Sequence, residues 1–223
     1  AALGFHAAFS GEHDIAAAAG HLGDPFAIIS PGVAVKPFPS CGSTHRCIDT
    51  AINLRKKHRF SPQDIVSIDC VVEPLTSKVL IHHRPRTELQ AKFCLEYCVA
   101  VALLDGSVGL RQLTDSRVLA ADVQGLLQKV NVHVMDIEDE GKASSLPHSV
   151  TVKLKDGKQY SLETSAAKGE PDNPLQYDEL VAKYRDCART LVPAGKVERC
   201  LDMLTHLDEL PDMTQLMDMV TYI

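Results

Sequence analysis

The stretch from Val150 to Leu162 constrains the fold of this chain more than any other. Val150, Val152 and Leu154 alternate with polar residues, the pair Asp156-Gly157 follows, and Tyr160 and Leu162 resume the alternation. Side chains two apart share one face of a strand, and Asp-Gly readily adopts the positive φ values of a tight turn. The pattern predicts a β-hairpin with one buried face. Such a chain must build a sheet and find helices to cover it.

Two more segments carry strand periodicity: Ile65 to Glu73, after the turn Ser61-Pro62-Gln63-Asp64, and Val130, Val132 and Val134. Val33 to Phe38 reads as a further short strand. Helical periodicity fills the spaces between. Thr44 to about His58 gathers Cys47, Ile48, Ala51, Ile52 and the stem of Arg55 on one face. Glu88 to Leu104 forms a second helix stopped by Asp105-Gly106. A third, capped by Ser116 or Asp115, places Leu119, Val123, Leu126 and Leu127 on one side. The first thirty or so residues hold a short helical pattern and then a Gly- and Pro-punctuated connector, Gly20 to Gly32. After Lys168-Gly169-Glu170-Pro171 the segments Asp178 to Leu191, Lys196 to Leu207 and Met213 to Tyr222 read as helices without a strand among them. The expected class is α+β, running helix, mixed, helix, with no internal repeat.

Composition excludes several partners. A hydrophobic share of 45% in 223 residues supports a buried core. The longest apolar run, Tyr97 to Leu104, is too short for a bilayer, so no membrane partner is expected. A net charge of −6 speaks against nucleic acid, which needs a basic face. The basic run Arg55-Lys56-Lys57-His58-Arg59 falls at the end of a predicted helix, where cations complement the dipole. The 7 cysteines follow neither a disulfide nor a zinc spacing, and Cys47, Cys94, Cys98 and Cys187 fall in predicted helices as small hydrophobes. Reduced thiols and the lack of a signal or transit pattern make a cytoplasmic setting the expectation. The chain opens Ala1-Ala2-Leu3-Gly4-Phe5, in what reads as mid-helix, and is expected to be a piece of something longer.

The chemistry concentrates in Lys36-Pro37-Phe38-Pro39-Ser40-Cys41-Gly42-Ser43-Thr44-His45. An ammonium, an imidazole and a helix start on one proline-stiffened loop suit a carboxylate. Lys36 and His45 are the catalytic candidates. A partly buried lysine can have its pKa lowered into a useful range, and imidazole transfers protons at neutral pH. Ser40 and Cys41, with Ser43, offer hydrogen bonds to a substrate carboxylate; turn stabilisation is the alternative. In the loop His82-His83-Arg84, His83 and Arg84 are candidates to close on an anion, Arg84 in bidentate fashion. Cys41, His45 and Cys47 make a poor zinc set, because residues 45 and 47 leave a helix on different sides. Asp69, Glu73 and Glu138-Asp139-Glu140 read as solvated acids.

Lys36-Pro-Phe-Pro-Ser-Cys with Thr44-His45 and Ile48-Asp49 resembles the K-P-(Y/F)-x-x-C…H…I-D segment of the MmgE/PrpD family. Ala91 to Ala100 with Leu104-Asp105-Gly106, and Gly169 to Leu175 with Lys183 to Ala188, resemble it too. That family includes 2-methylcitrate dehydratase, cis-aconitate decarboxylase and iminodisuccinate epimerase. The resemblance covers only the second half of a member. It implies that residues 1–35 end a helical domain, 36–168 form an α+β lid with an antiparallel sheet, and 169–223 return to the helical domain. It also implies a cofactor-independent lyase, without metal, flavin or nicotinamide, acting on a small di- or tricarboxylate such as 2-methylcitrate. The partners it implies are the polycarboxylate, the missing N-terminal helical half and a second copy in a homodimer. An epimerase, or a non-catalytic fragment that binds ligand or dimerises, are the alternatives. The lysine heading the family motif falls on Lys36. A lid tyrosine of cis-aconitate decarboxylases falls near Val79, where this sequence has none.

Overall fold

The computed structural model describes residues 20, 22–137 and 146–221. The helical pattern expected at the start and the run Glu138-Asp139-Glu140 lie outside the described residues. Among the described residues no helix is long and apolar enough to cross a membrane.

Strands β1 (Ile65–Val72), β2 (Val130–Val134), β3 (His148–Leu154) and β4 (Gln159–Thr164) form one sheet in the order β2-β1-β3-β4. The hairpin is β3–β4, with Val150 opposite Leu162 and Val152 opposite Tyr160. Gly157 turns it at φ +84°, a conformation that favours glycine. Strand β1 pairs antiparallel with β3, Cys70 facing Val150. Strand β2 lies parallel to β1, Ile68 facing Val130. The sheet is therefore mixed, where the sequence suggested an antiparallel one. The helices between β1 and β2 make the crossover that a parallel pair requires.

One face of the sheet is dry. Ile68, Cys70 and Val72 of β1 and Val150, Val152 and Leu154 of β3 are buried. Ile65 joins them because the register shifts between Ile65 and Ser67, which leaves Val66 exposed. The covering layer starts with α1 (His45–His58), entered through a single 3-10 turn, Gly42–Thr44. Helix α1 lies across β3 and β4 and against the core helix described below.

Helix α2 (Pro74–Val79) had no sequence signal of the usual length. Proline opens it, where a missing N–H costs nothing, and the Glu73 carboxylate accepts from Leu75 N at 2.6 Å. The helix expected from Glu88 to Leu104 is two pieces, α3 (Glu88–Ala91) and α4 (Leu95–Asp105). The break has a local cause: the Cys94 thiol caps α4, accepting from Tyr97 N. Residues Tyr97 to Leu103 of α4 are all buried, so the helix is enclosed on every side. Each large side chain buried there contributes roughly 1.5–3 kcal/mol. The third expected helix also divides, into α5 (Asp115–Val118) and α6 (Ala121–Leu127). Thr114, rather than Asp115 or Ser116, caps α5, and Val118 takes the core place while Leu119 is exposed.

Helices α7 (Tyr177–Ala188), α8 (Ala194–Thr205) and α9 (Thr214–Val220) complete the described chain. They share a small core of Cys200, Met203 and Leu216, with Tyr184, Leu210 and Met219 against it. Leu191, Leu204, Leu207 and Met217 stay exposed around it. Val33 to Phe38 is not a strand; among the described residues its ladder-like contact is Val35 N to Gly169 O, 2.8 Å.

Candidate functional site

The loop that carries Lys36 is held from three sides. Val35 bonds to Gly169 at its start, Cys41 N donates to Lys92 O at 2.9 Å in its middle, and α1 takes over at its end. Inside the turn the Thr44 hydroxyl donates to Cys41 O at 2.7 Å. Thr44 has no second proton, so the 2.8 Å contact with Ser40 Oγ is donated by Ser40. Ser40 is buried and its proton is spent within the turn. That geometry holds the loop together and leaves Cys41, half-buried, closer to the surface.

His45 is the first residue of α1 and only 6% exposed. Its Nε2 lies 3.3 Å from Ser40 O, and a carbonyl only accepts, so Nε2 carries the proton. Its ring stands edge-on to Phe38, centroids 5.3 Å apart. Burial pushes the imidazole pKa down, the Ser40 carbonyl opposes this, and the nearby Lys36 ammonium lowers it further. His45 is therefore a neutral imidazole at physiological pH. Lys36 itself is exposed, against the expectation of partial burial, because no described element covers that edge of the loop. Its Cε is 4.0 Å from where a Cβ on Gly42 would stand. That is an ordinary contact distance, so Lys36 lies alongside Gly42.

His83 and Arg84 sit on the second loop, both exposed. The two loops meet through neighbouring residues of the α3–α4 break: Lys92 O accepts from Cys41 N, and Phe93 O accepts from His82 N at 3.3 Å. The irregular backbone between α3 and α4 thus ties the Lys36 loop to the His82–Arg84 loop. His83 Nδ1 is 2.7 Å from Glu96 Oε1. This pairing puts the proton on Nδ1 and leaves Nε2 open toward solvent.

Beside these loops lies a polar cavity of about 160 Å³ that the sequence did not reveal, lined by Gly42, Ser43, Arg46, Glu73, His148 and Glu170. Glu73 is buried rather than solvated; its second carboxylate oxygen accepts from the Thr76 hydroxyl at 2.7 Å. His148 is 2% exposed, with Nε2 3.5 Å from Glu73 N and Nδ1 4.0 Å from Cys47 Sγ. Arg46 reaches both oxygens of Glu170 at 3.4 Å. Of these residues the sequence had singled out Glu73, read as a solvated acid, and Glu170, within the Gly169 to Leu175 segment. Cys47 faces the core, where a hydrogen bond with Cys70 and then His148 hold its thiol below the usual range. Among the described residues no three His, Cys, Asp or Glu side chains converge as a metal site.

The MmgE/PrpD C-terminal domain model matches residues 38–209. The chain belongs to the MmgE/PrpD family. Cis-aconitate decarboxylase of Mus musculus is 26% identical over 190 residues, 82% of this chain and 38% of that protein. The Homo sapiens enzyme of the same name is 24% identical over 188 residues, 82% of this chain and 39% of that protein. The one from Aspergillus terreus is 22% identical over 199 residues, 84% and 40% of the two chains. This MmgE/PrpD chain thus spans about two-fifths of the length of the curated relatives it matches. The family match begins at Phe38, two residues after Lys36, and Glu170 lies inside it.

Proposed function

We propose that this chain is the C-terminal part of a lyase acting on a small di- or tricarboxylate, with residues 36–168 as its lid and 169–223 as helices returning to a helical domain. The observation that carries the reading is the Lys36 charge acting on buried, neutral His45 within one loop, which Lys92 and Phe93 tie to the loop of His83 and Arg84. The cationic groups of these two loops, Lys36 and Arg84, would suit a substrate with several carboxylates. In a dehydration, a base takes the proton next to a carboxylate and the neighbouring hydroxyl leaves. In a decarboxylation, carbon dioxide departs and an acid protonates the carbanion. Either way negative charge develops next to a carboxylate, and Lys36 would stabilise it. His45 would hold or pass a proton, since its neutral ring has one nitrogen of each kind.

The relatives named above are cis-aconitate decarboxylases, which supports a lyase reading. The missing tyrosine near Val79 counts against that particular activity and keeps dehydration beside decarboxylation. The exposed apolar residues of α8, α9 and the Gly20 to Gly32 connector, among them Leu204, Met217, Phe26 and Ile29, supply area for the helical half to cover. Covering that edge would also desolvate Lys36. A homodimer in the cytoplasm, formed through the helical parts, belongs to the same reading. The test is an assay panel of cis-aconitate, 2-methylcitrate, citrate and iminodisuccinate on a polypeptide that includes the helical half. Consumption of one polycarboxylate with release of carbon dioxide or water supports the proposal. No turnover of any of them overturns it.

A further inference from the structure

A dehydration needs a group to take the proton next to the carboxylate, and a decarboxylation needs one to protonate the carbanion. That group must reach the substrate. His45 is only 6% exposed, and its protonated nitrogen is spent on the Ser40 carbonyl. His83 stands differently. Its ring is 69% exposed, while Glu96, whose Oε1 meets its Nδ1 at 2.7 Å, is only 12% exposed. Glu96 lies in the first turn of α4, where the helix N-terminus favours an ionised carboxylate. Its other oxygen accepts from the Cys94 thiol at 3.4 Å. The loop is fixed as well, since the His82 amide donates to Phe93 O and Pro85 is buried. The other histidine–carboxylate pairs among the described residues, His133–Asp69 and His206–Asp202, rest on carboxylates 41% and 76% exposed. Pairs so open to water hold a ring weakly. At His83 a carboxylate on a rigid helix turn keeps the proton on one nitrogen and leaves the lone pair of the other facing out.

We propose that His83 is a proton-transfer residue of the lyase reaction and Glu96 its positioning residue, an inference that rests on the reading above. In dehydration, Nε2 takes the proton from the carbon next to the carboxylate. The C–H electron pair becomes the new double bond, and the neighbouring hydroxyl leaves with its own pair and is protonated to water. In decarboxylation, the C–C pair stays on the substrate carbon as carbon dioxide departs, and protonated Nε2 supplies the proton that completes the new C–H bond. The Lys92 and Phe93 carbonyls, one residue apart, hold the Lys36 and His82–Arg84 loops side by side, so the cation and the imidazole sit on adjoining loops.

The test uses the polypeptide that includes the helical half and the polycarboxylate it consumes. His83→Ala removes an exposed ring, so it should keep the melting temperature while kcat falls at least roughly a hundredfold. Imidazole added to the buffer should restore part of that loss, which it would not do for a ring that only packs. Glu96→Gln should lower kcat at least roughly tenfold with KM nearly unchanged, since the imidazole is still present but no longer oriented. With nitrogen-labelled histidine at mildly alkaline pH, NMR should show His83 protonated on Nδ1 in the wild type and shifted toward Nε2–H in Glu96→Gln. Near-normal turnover of His83→Ala, no rescue by imidazole, unchanged kcat in Glu96→Gln or a wild-type Nε2–H tautomer would each overturn the proposal and leave the lyase reading standing. A wild type that consumes none of the polycarboxylates would instead remove the lyase reading, and this inference with it.

Discussion

The imidazole of His45 donates from Nε2 to the Ser40 carbonyl, 3.3 Å away, across the turn that also holds Lys36. Burial keeps the folded-state pKa of this ring below 6.5. An unfolded chain therefore takes up a proton at His45 as the pH falls through 6.5, before the folded chain does. The fold loses stability over that window, down to the folded-state value, and the loss persists below it. His45→Gln removes this dependence while keeping a side-chain donor. Urea midpoints at about pH 7.5 and about pH 5.5 should differ less for the variant than for the wild type. Equal differences would show that another group drives the loss.

Lys36→Ala separates chemistry from stability. The side chain is exposed, so its removal should barely move the melting temperature. In a polypeptide with the helical half, turnover of the polycarboxylate should fall at least roughly a hundredfold, because a charge facing the developing carbanion is lost. Parallel melting curves and kcat/KM measurements check both halves of the statement. Near-normal turnover would remove Lys36 from the site.

Strands and the hairpin were legible because a half-buried strand writes its two-residue period directly into Val150, Val152, Tyr160 and Leu162. The bulge at Ile65 and the parallel placement of β2 were not, since both depend on what the strands meet. Helix breaks were harder still. Nothing in Lys92-Phe93-Cys94 is a glycine or proline; the chain leaves the helix there because a thiol caps α4 and the Cys41 and His82 amides claim the Lys92 and Phe93 carbonyls. The Lys36 loop could be read locally, within ten residues of sequence. The cavity of Glu73, His148, Arg46 and Glu170 could not, as its members come from distant segments that only the folded sheet and α1 bring together.

Asp49 should show the opposite pH behaviour to a salt-bridged acid. Burial raises its folded-state pKa above 3.8, despite the Lys168 amide that partly offsets it. Relative to an ordinary aspartate, it lends stability that is fully present below 3.8 and is lost as the pH rises through its folded-state value. At neutral pH the wild type therefore bears the cost of an ionised, half-buried carboxylate. Asp49→Asn keeps an oxygen for the Lys168 amide and should melt higher than wild type at about pH 7. The advantage should vanish at about pH 3, where the wild-type carboxyl is protonated in both states. Thermal unfolding at the two pH values reads it out, and a variant that melts lower at neutral pH would refute the reasoning.

Gly169 is the strictest backbone requirement near the site. It holds φ +91°, a conformation costly to any residue with a Cβ, and a Cβ there would collide with the Val35 carbonyl oxygen. The neighbour is backbone, not the tip of a flexible side chain, so relief requires the Val35–Gly169 hydrogen bond to open. That bond anchors the residue just before Lys36. Gly169→Ala should therefore destabilise the fold by about 1–3 kcal/mol, as expected for a strained non-glycine residue. It should also change the surroundings of His45, because the loop that carries Lys36 is released at its start. Urea unfolding gives the first effect, and the histidine ring signals in a proton–nitrogen NMR spectrum give the second. An alanine variant with unchanged midpoint and unmoved His45 resonances would mean that this junction yields without cost and does not position the loop.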